Sequence, residues 1–184
     1  MTFISEHIKK IVIVSLMSSL VFLGTFLTRV EISFFSGHMM IHLGNMFCLV
    51  AAVLFGPKCG ALAGAIGMGL FDIISGRFII YFPFMFVLKY TMGYVCGYIK
   101  IKNFKNLERN KLNILAIFSS LIINIIGSPL ISFVIKIVFY KLNFYIALIN
   151  IISSVVGVII NSALSGFLAL ILLRFLEPVY KNKF

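Results

Sequence analysis

Chemistry in a chain of 184 residues with only five acids must come from few places. The acids are Glu6, Glu31, Asp72, Glu108 and Glu177, and no two are spaced as a general acid and base. The sequence "GPKCGALAGAIGMGLFDIISG", residues 56–76, buries one of them, Asp72, in an apolar, glycine-studded run. Fourteen residues separate it from Lys58, about 21 Å along a helix at about 1.5 Å per residue. An unpaired charge at that depth in a bilayer is costly, so it should face a helix bundle and find a partner. Lys89 follows Pro83 by six residues on the returning helix, at a similar depth. An Asp72–Lys89 ion pair is the first expectation, and an Asp72–Arg77 pair at the helix end is its rival.

His38 and His42, in "HMMIH", would share a face if the segment were helical and could then offer two metal ligands. No third ligand stands at a recognisable spacing, so an interfacial or ligand-contacting role is preferred and no metal is expected. Tyr81 and Tyr145 fall near the expected outer mouth, where aromatic rings form an interfacial belt or stack on a planar ligand. Asn124, Asn150 and Asn161 are uncharged polar groups inside apolar helices and should bond between helices. Asn150 shares the depth of Asp72 and Lys89 and is the preferred ligand contact of the three. Cys48, Cys59 and Cys96 are odd in number and widely spaced, which favours packing over a disulfide framework or metal site.

The elements that must position these groups are membrane helices. The chain is 61% hydrophobic and 11% charged, against about 25% charged in an ordinary soluble domain. Uncharged apolar stretches near the ~20 residues of a membrane span recur throughout. They predict one all-α integral membrane domain, 1–184, with about six helices: 8–28, 41–56, 58–76, 82–100, 113–135 and 144–174. The net charge of +11 does not indicate nucleic-acid binding, because the basic residues lie between apolar runs, not along one hydrated stripe. Most of them fall on one side if both termini are cytoplasmic, the orientation the positive-inside rule selects. Segment 100–113 then becomes a cytoplasmic hinge and segment 29–40 an outer loop. The first apolar stretch is expected to be a retained helix, not a cleaved signal peptide.

Gly56, Gly60 and Gly64 recur every four residues and let helices approach closely. Ser15 and Ser19 on the first helix make a similar small-residue face. A phosphate-binding loop is not indicated, because the run lacks the terminal Lys-Ser/Thr pair and a preceding strand.

Three stretches carry a family resemblance: "IHLGN" at 41–45, "LFGPKCGALAGAIGMGLFDIISG" at 54–76 and "YFPFMFVLKYTMGYVCGY" at 81–98. They resemble motifs of the substrate-binding S components of energy-coupling factor (ECF) vitamin transporters, in the riboflavin-type branch, over about a third of the chain. The resemblance implies a binding subunit that captures a vitamin outside the cell and delivers it by toppling in the membrane. It also implies a transmembrane coupling subunit and two ATPase subunits as partners, with Ser15 and Ser19 where relatives carry an Ala-x-x-x-Ala face against the coupling subunit. Asn45 stands where many relatives have Asp.

The expected pocket faces outward, is closed by the 29–40 loop, and uses His38, His42, Asn45, Tyr81, Lys89, Tyr145 and Asn150 as contacts. Few polar groups in apolar walls suit a compact, partly aromatic molecule. By branch resemblance pyridoxine-like or hydroxymethylpyrimidine-like vitamins come first and riboflavin second. No catalytic residue, cofactor or enzymatic activity is expected. The competing readings are a solitary transporter or channel, which would take up solute without the coupling and ATPase subunits, and more distantly an intramembrane enzyme.

Overall fold

In the computed structural model, backbone is described for residues 2–34, 37–76, 78–102 and 107–181, and side chains for 6–32, 40–76, 78–102 and 107–179. Six helices and one hairpin account for nearly all of it: α1 (Thr2–Thr28), β1 (Val30–Phe34), β2 (Gly37–Ile41), α2 (Gly44–Phe55), α3 (Pro57–Ser75), α4 (Phe82–Lys102), α5 (Arg109–Val138) and α6 (Phe144–Lys181). Helices are what an apolar chain forms in lipid, because each satisfies its own backbone polar groups.

Among the described residues, four spans are long and apolar enough to cross a membrane: Glu6–Thr28, Pro57–Ser75, Arg109–Val138 and Phe144–Val179. The twelve residues of α2 extend about 18 Å, less than the ~30 Å hydrocarbon core. Its residues are apolar almost all round, and nine of them are buried, as such a helix requires. Gly56, with φ of 91°, ends α2, and Pro57 starts α3 at the position where its missing N–H costs nothing. The elements flanking α2 therefore wrap around it.

The glycine run acts through close approach. A Cβ on Gly60 would meet Ala52 of α2, and one on Gly93 of α4 would strike the Gly60 carbonyl. A Cβ on Gly67 would meet Ser18 O and Val21 of α1. These contacts set the rotation and spacing of α3 against α1, α2 and α4.

Segment 29–40, expected as a loop, is instead mostly an antiparallel hairpin with Val30 opposite Ile41, Glu31 opposite Met40 and Ile32 opposite Met39. Alternation of Val30, Ile32 and Phe34 with Glu31 and Ser33 is the period-two pattern of a strand. The β2 strand packs against α6.

Candidate functional site

A cavity of about 450 Å³ opens between β2, α3, α4, α5 and α6. Its residues come from the first half of α4 and the second half of α5, which places it toward one end of the bundle. Met40, Met68, Phe78 and Met85 supply apolar lining, and α5 and α6 supply mainly Ser and Asn. Along α5, Asn124, Ser128, Ser132 and Lys136 all line it, and their four-residue spacing puts them on one face of the helix. More of the lining residues are of polar type than expected, but the surface they turn to the cavity is mostly apolar, in keeping with apolar walls.

Lys89 is 4% exposed and lies in the cavity wall. Its ammonium donates to Asn45 Oδ1 at 2.8 Å and Asn124 Oδ1 at 2.7 Å. Asn124 Nδ2 in turn donates to Ser162 Oγ at 3.1 Å. One buried chain of hydrogen bonds thus links α2, α4, α5 and α6. The ion pairs among the described residues do not include Asp72 with Lys89. Asp72 also lines the cavity, and its Oδ2 is buried with no hydrogen-bond partner. The expected Asp72–Lys89 contact is therefore corrected: two amide oxygens hold the ammonium. Arg77, the rival partner, lies outside the described residues.

At the hairpin's base, the His42 backbone N–H donates to Asn161 Oδ1 at 3.0 Å, and Asn161 Nδ2 stands 3.3 Å from His42 Nε2. His42 follows β2, so His38 and His42 do not share a helical face. The His38 side chain lies outside the described residues. Among those described, no three His, Cys, Asp or Glu residues are grouped to hold a metal. All three cysteines are buried and free.

Of the other expected contacts, Tyr81 and Asn150 line the cavity, with Asn150 Nδ2 donating to Ile146 O at 2.9 Å. Asn45 supports Lys89 and is not itself among the lining residues. Tyr145 is 74% exposed and not among them either, because its position at the start of α6 turns it out of the bundle. Asn124 and Asn161, expected only to bond between helices, do so and also face the cavity. Ser15 and Ser19 lie exposed on α1, where Ser19 Oγ donates to Ser15 O at 2.9 Å.

The opposite end of the bundle is closed by polar contacts. Glu177, 4% exposed, accepts from Lys100 Nζ at 2.9 Å and Asn113 Nδ2 at 2.8 Å, and Lys100 also donates to Asn113. The ends of α4, α5 and α6 are thereby joined away from the cavity. The arrangement can enclose a small polar molecule from one side.

A family model described as "ECF-type riboflavin transporter, S component" matches residues 5–178. A solved structure described as "Structure and mechanism of the S component of a bacterial ECF transporter" aligns with TM-score 0.65 at 18% identity, covering 95% of this chain and 99% of that one. At that identity the likeness concerns the fold. No curated protein matches the chain.

Proposed function

The chain belongs to the family of ECF-type riboflavin transporter S components, and from that premise we propose that its cavity captures a water-soluble vitamin for an ECF importer. The observation that carries this reading is the cavity of about 450 Å³ with Lys89 and Asp72 in its wall, within the range of about 300–1,000 Å³ usual for small-molecule sites. His42, Tyr81, Lys89 and Asn150 are the proposed contacts retained from the sequence, with Asn124, Asn161 and Asp72 added. Asn45 acts by holding Lys89.

Riboflavin takes first place as ligand. The family model's description names it, and a lining that includes Met and Phe side chains as well as Ser and Asn suits a molecule with both a planar ring and hydroxyls. A pyridoxine-like or hydroxymethylpyrimidine-like ring, placed first by branch resemblance at 41–45, 54–76 and 81–98, becomes the second reading.

The remaining proposals follow from the family. All six helices are embedded, both termini are cytoplasmic, and the cavity opens outward. Ser15 and Ser19 dock a coupling subunit that works with two ATPase subunits, and the loaded subunit topples to deliver its cargo. Calorimetry with the purified chain should show vitamin binding, and ATP-driven uptake in cells should require the coupling and ATPase subunits. Lack of binding by every vitamin named above would reject the binding assignment; uptake by the chain alone would favour a solitary transporter.

A further inference from the structure

The helix α4 has the length of a membrane span but not the surface of one. Its 21 residues suffice to cross a bilayer, yet it is not among the four spans of the described residues that are apolar enough to do so. Lys89 accounts for part of this and is buried. The rest lies on the outward face, where Tyr90, Tyr94 and Tyr98 are 37%, 38% and 47% exposed. Each stands two residues from Met92 or Cys96, both wholly buried. Two residues are a turn of about 200° on a helix, so the three tyrosines point away from the bundle.

The tyrosines form one ladder. Neighbouring ring centroids are 6.3 and 6.2 Å apart, with planes 10° and 13° from parallel. At the end of α4 the Lys102 ammonium stands 5.6 Å from the Tyr98 centroid. Stacking keeps the rings in register, so the hydroxyls follow one another at the helix's own rise, about 6 Å per four residues. No hydrogen bond among the described residues uses any of the three hydroxyls.

Lipid is a poor neighbour for this face. Tyr90 lies eight residues past Phe82 and Tyr94 twelve, about 12 and 18 Å along the helix, which brackets the middle of a ~30 Å hydrocarbon core. Tyrosine favours the membrane boundaries, where water reaches its hydroxyl; at mid-depth acyl chains offer no acceptor. A second copy of this chain fits no better. Two copies inserted the same way and facing through α4 would set Lys102 against Lys102. The acids of that end are already engaged, Glu177 by Lys100 and Asn113 and Glu108 by Lys111.

We propose that the ladder of Tyr90, Tyr94 and Tyr98 docks a transmembrane helix of the coupling subunit, one that offers hydroxyl or amide acceptors at four-residue intervals and an acid opposite Lys102. A helix crossing at a small angle repeats at the same rise, so its acceptors meet the three hydroxyls in step. Small residues beside those acceptors leave room for the rings. The proposal rests on the ECF reading, which supplies the coupling subunit. It adds a contact separate from Ser15 and Ser19, because α3 packs on α1 at Gly67 and on α4 at Gly60 and so stands between the two faces.

Replacing all three tyrosines by Phe keeps the rings and removes only the hydroxyls. Affinity would be measured by thermophoresis in detergent between the purified chain and the coupling and ATPase subunits encoded in the same genome. The Phe variant should associate about tenfold more weakly, as loss of three interhelical hydrogen bonds of modest strength requires, and Lys102→Glu should weaken association as well. Vitamin binding should stay within about twofold in both, since none of these residues lines the cavity. Parent-like association of the Phe variant overturns the proposal, and a rise in its melting temperature alongside would assign the face to lipid. A dimer of the isolated chain that the Phe variant dissolves would assign the face to a second copy and overturns it equally. Failure of the parent chain itself to associate instead rejects the ECF partner reading, and the docking proposal with it.

Discussion

Lys89 Nζ of α4 and Asn124 Oδ1 of α5 are 35 positions apart in sequence and 2.7 Å apart in space. With Asn45 on the other side at 2.8 Å, the pair fixes a buried cation at the wall of the cavity without a touching anion. Hydrogen bonds to a charged group are worth about 1.5–3 kcal/mol each, enough to set where the ammonium points.

Lys89→Met should fold and lose ligand affinity by about tenfold or more, the equivalent of one charge-assisted hydrogen bond. The fold survives because removal of the cation also removes its burial cost, although Asn45 and Asn124 each lose a donor. Calorimetry beside a thermal melt separates the two effects. Parent-like binding by a folded Lys89→Met protein would remove Lys89 from ligand recognition.

Glu177→Ala should lower stability by about 1–3 kcal/mol, because Lys100 and Asn113 lose their shared acceptor. The Arg109 contact at 3.9 Å contributes little, since Arg109 is largely exposed. Vitamin affinity should stay within about twofold, because this joint lies at the end of the bundle away from the cavity. Denaturant unfolding and calorimetry on the same preparation check both halves of the expectation; a large affinity loss would couple the two ends.

Gly93→Ala should cost about 1–3 kcal/mol, because its methyl would press on the Gly60 carbonyl and drive two backbones apart. Gly127→Ala is the control: its methyl meets only the end of the Leu88 side chain, which can turn away. The two melting curves should differ in that order. Equal losses would mean that the α3–α4 approach is softer than its geometry implies.

Replacing both Ser15 and Ser19 by Phe should leave vitamin binding by the isolated chain unchanged, since both are exposed on α1. Uptake in cells that supply the coupling and ATPase subunits should fall by about tenfold or more if this face docks the coupling subunit, as loss of close helix packing would require. Parent-like uptake would place the docking surface elsewhere.

The positions of the helices could be read from the sequence. The expected stretch 58–76 became Pro57–Ser75, and 82–100 became Phe82–Lys102, because apolar length and Pro or Gly punctuation are local properties. The alternation from Val30 to Phe34 carries a strand signal, but the segment was expected as an outer loop from its place between two helices. Asn124, Ser128, Ser132 and Lys136 form a polar stripe at four-residue spacing, a signal of which the expectations used only Asn124, as a group bonding between helices.

The partner of Lys89 was not legible. Counting residues from the helix ends gave Asp72 and Lys89 similar depths, whereas the Lys89 backbone packs beside Gly64, eight residues before Asp72 on α3. Contact also requires the rotation of each helix about its axis and the spacing between axes. Those are set by packing at Gly60, Gly67 and Gly93, which brings Asn45 and Asn124 to the ammonium and leaves the Asp72 oxygen free. Sequence alone determined a helical membrane protein with a set of polar residues inside its helices; tertiary packing decided which of those residues touch, because close approach between helices depends on contacts that no one-dimensional spacing contains.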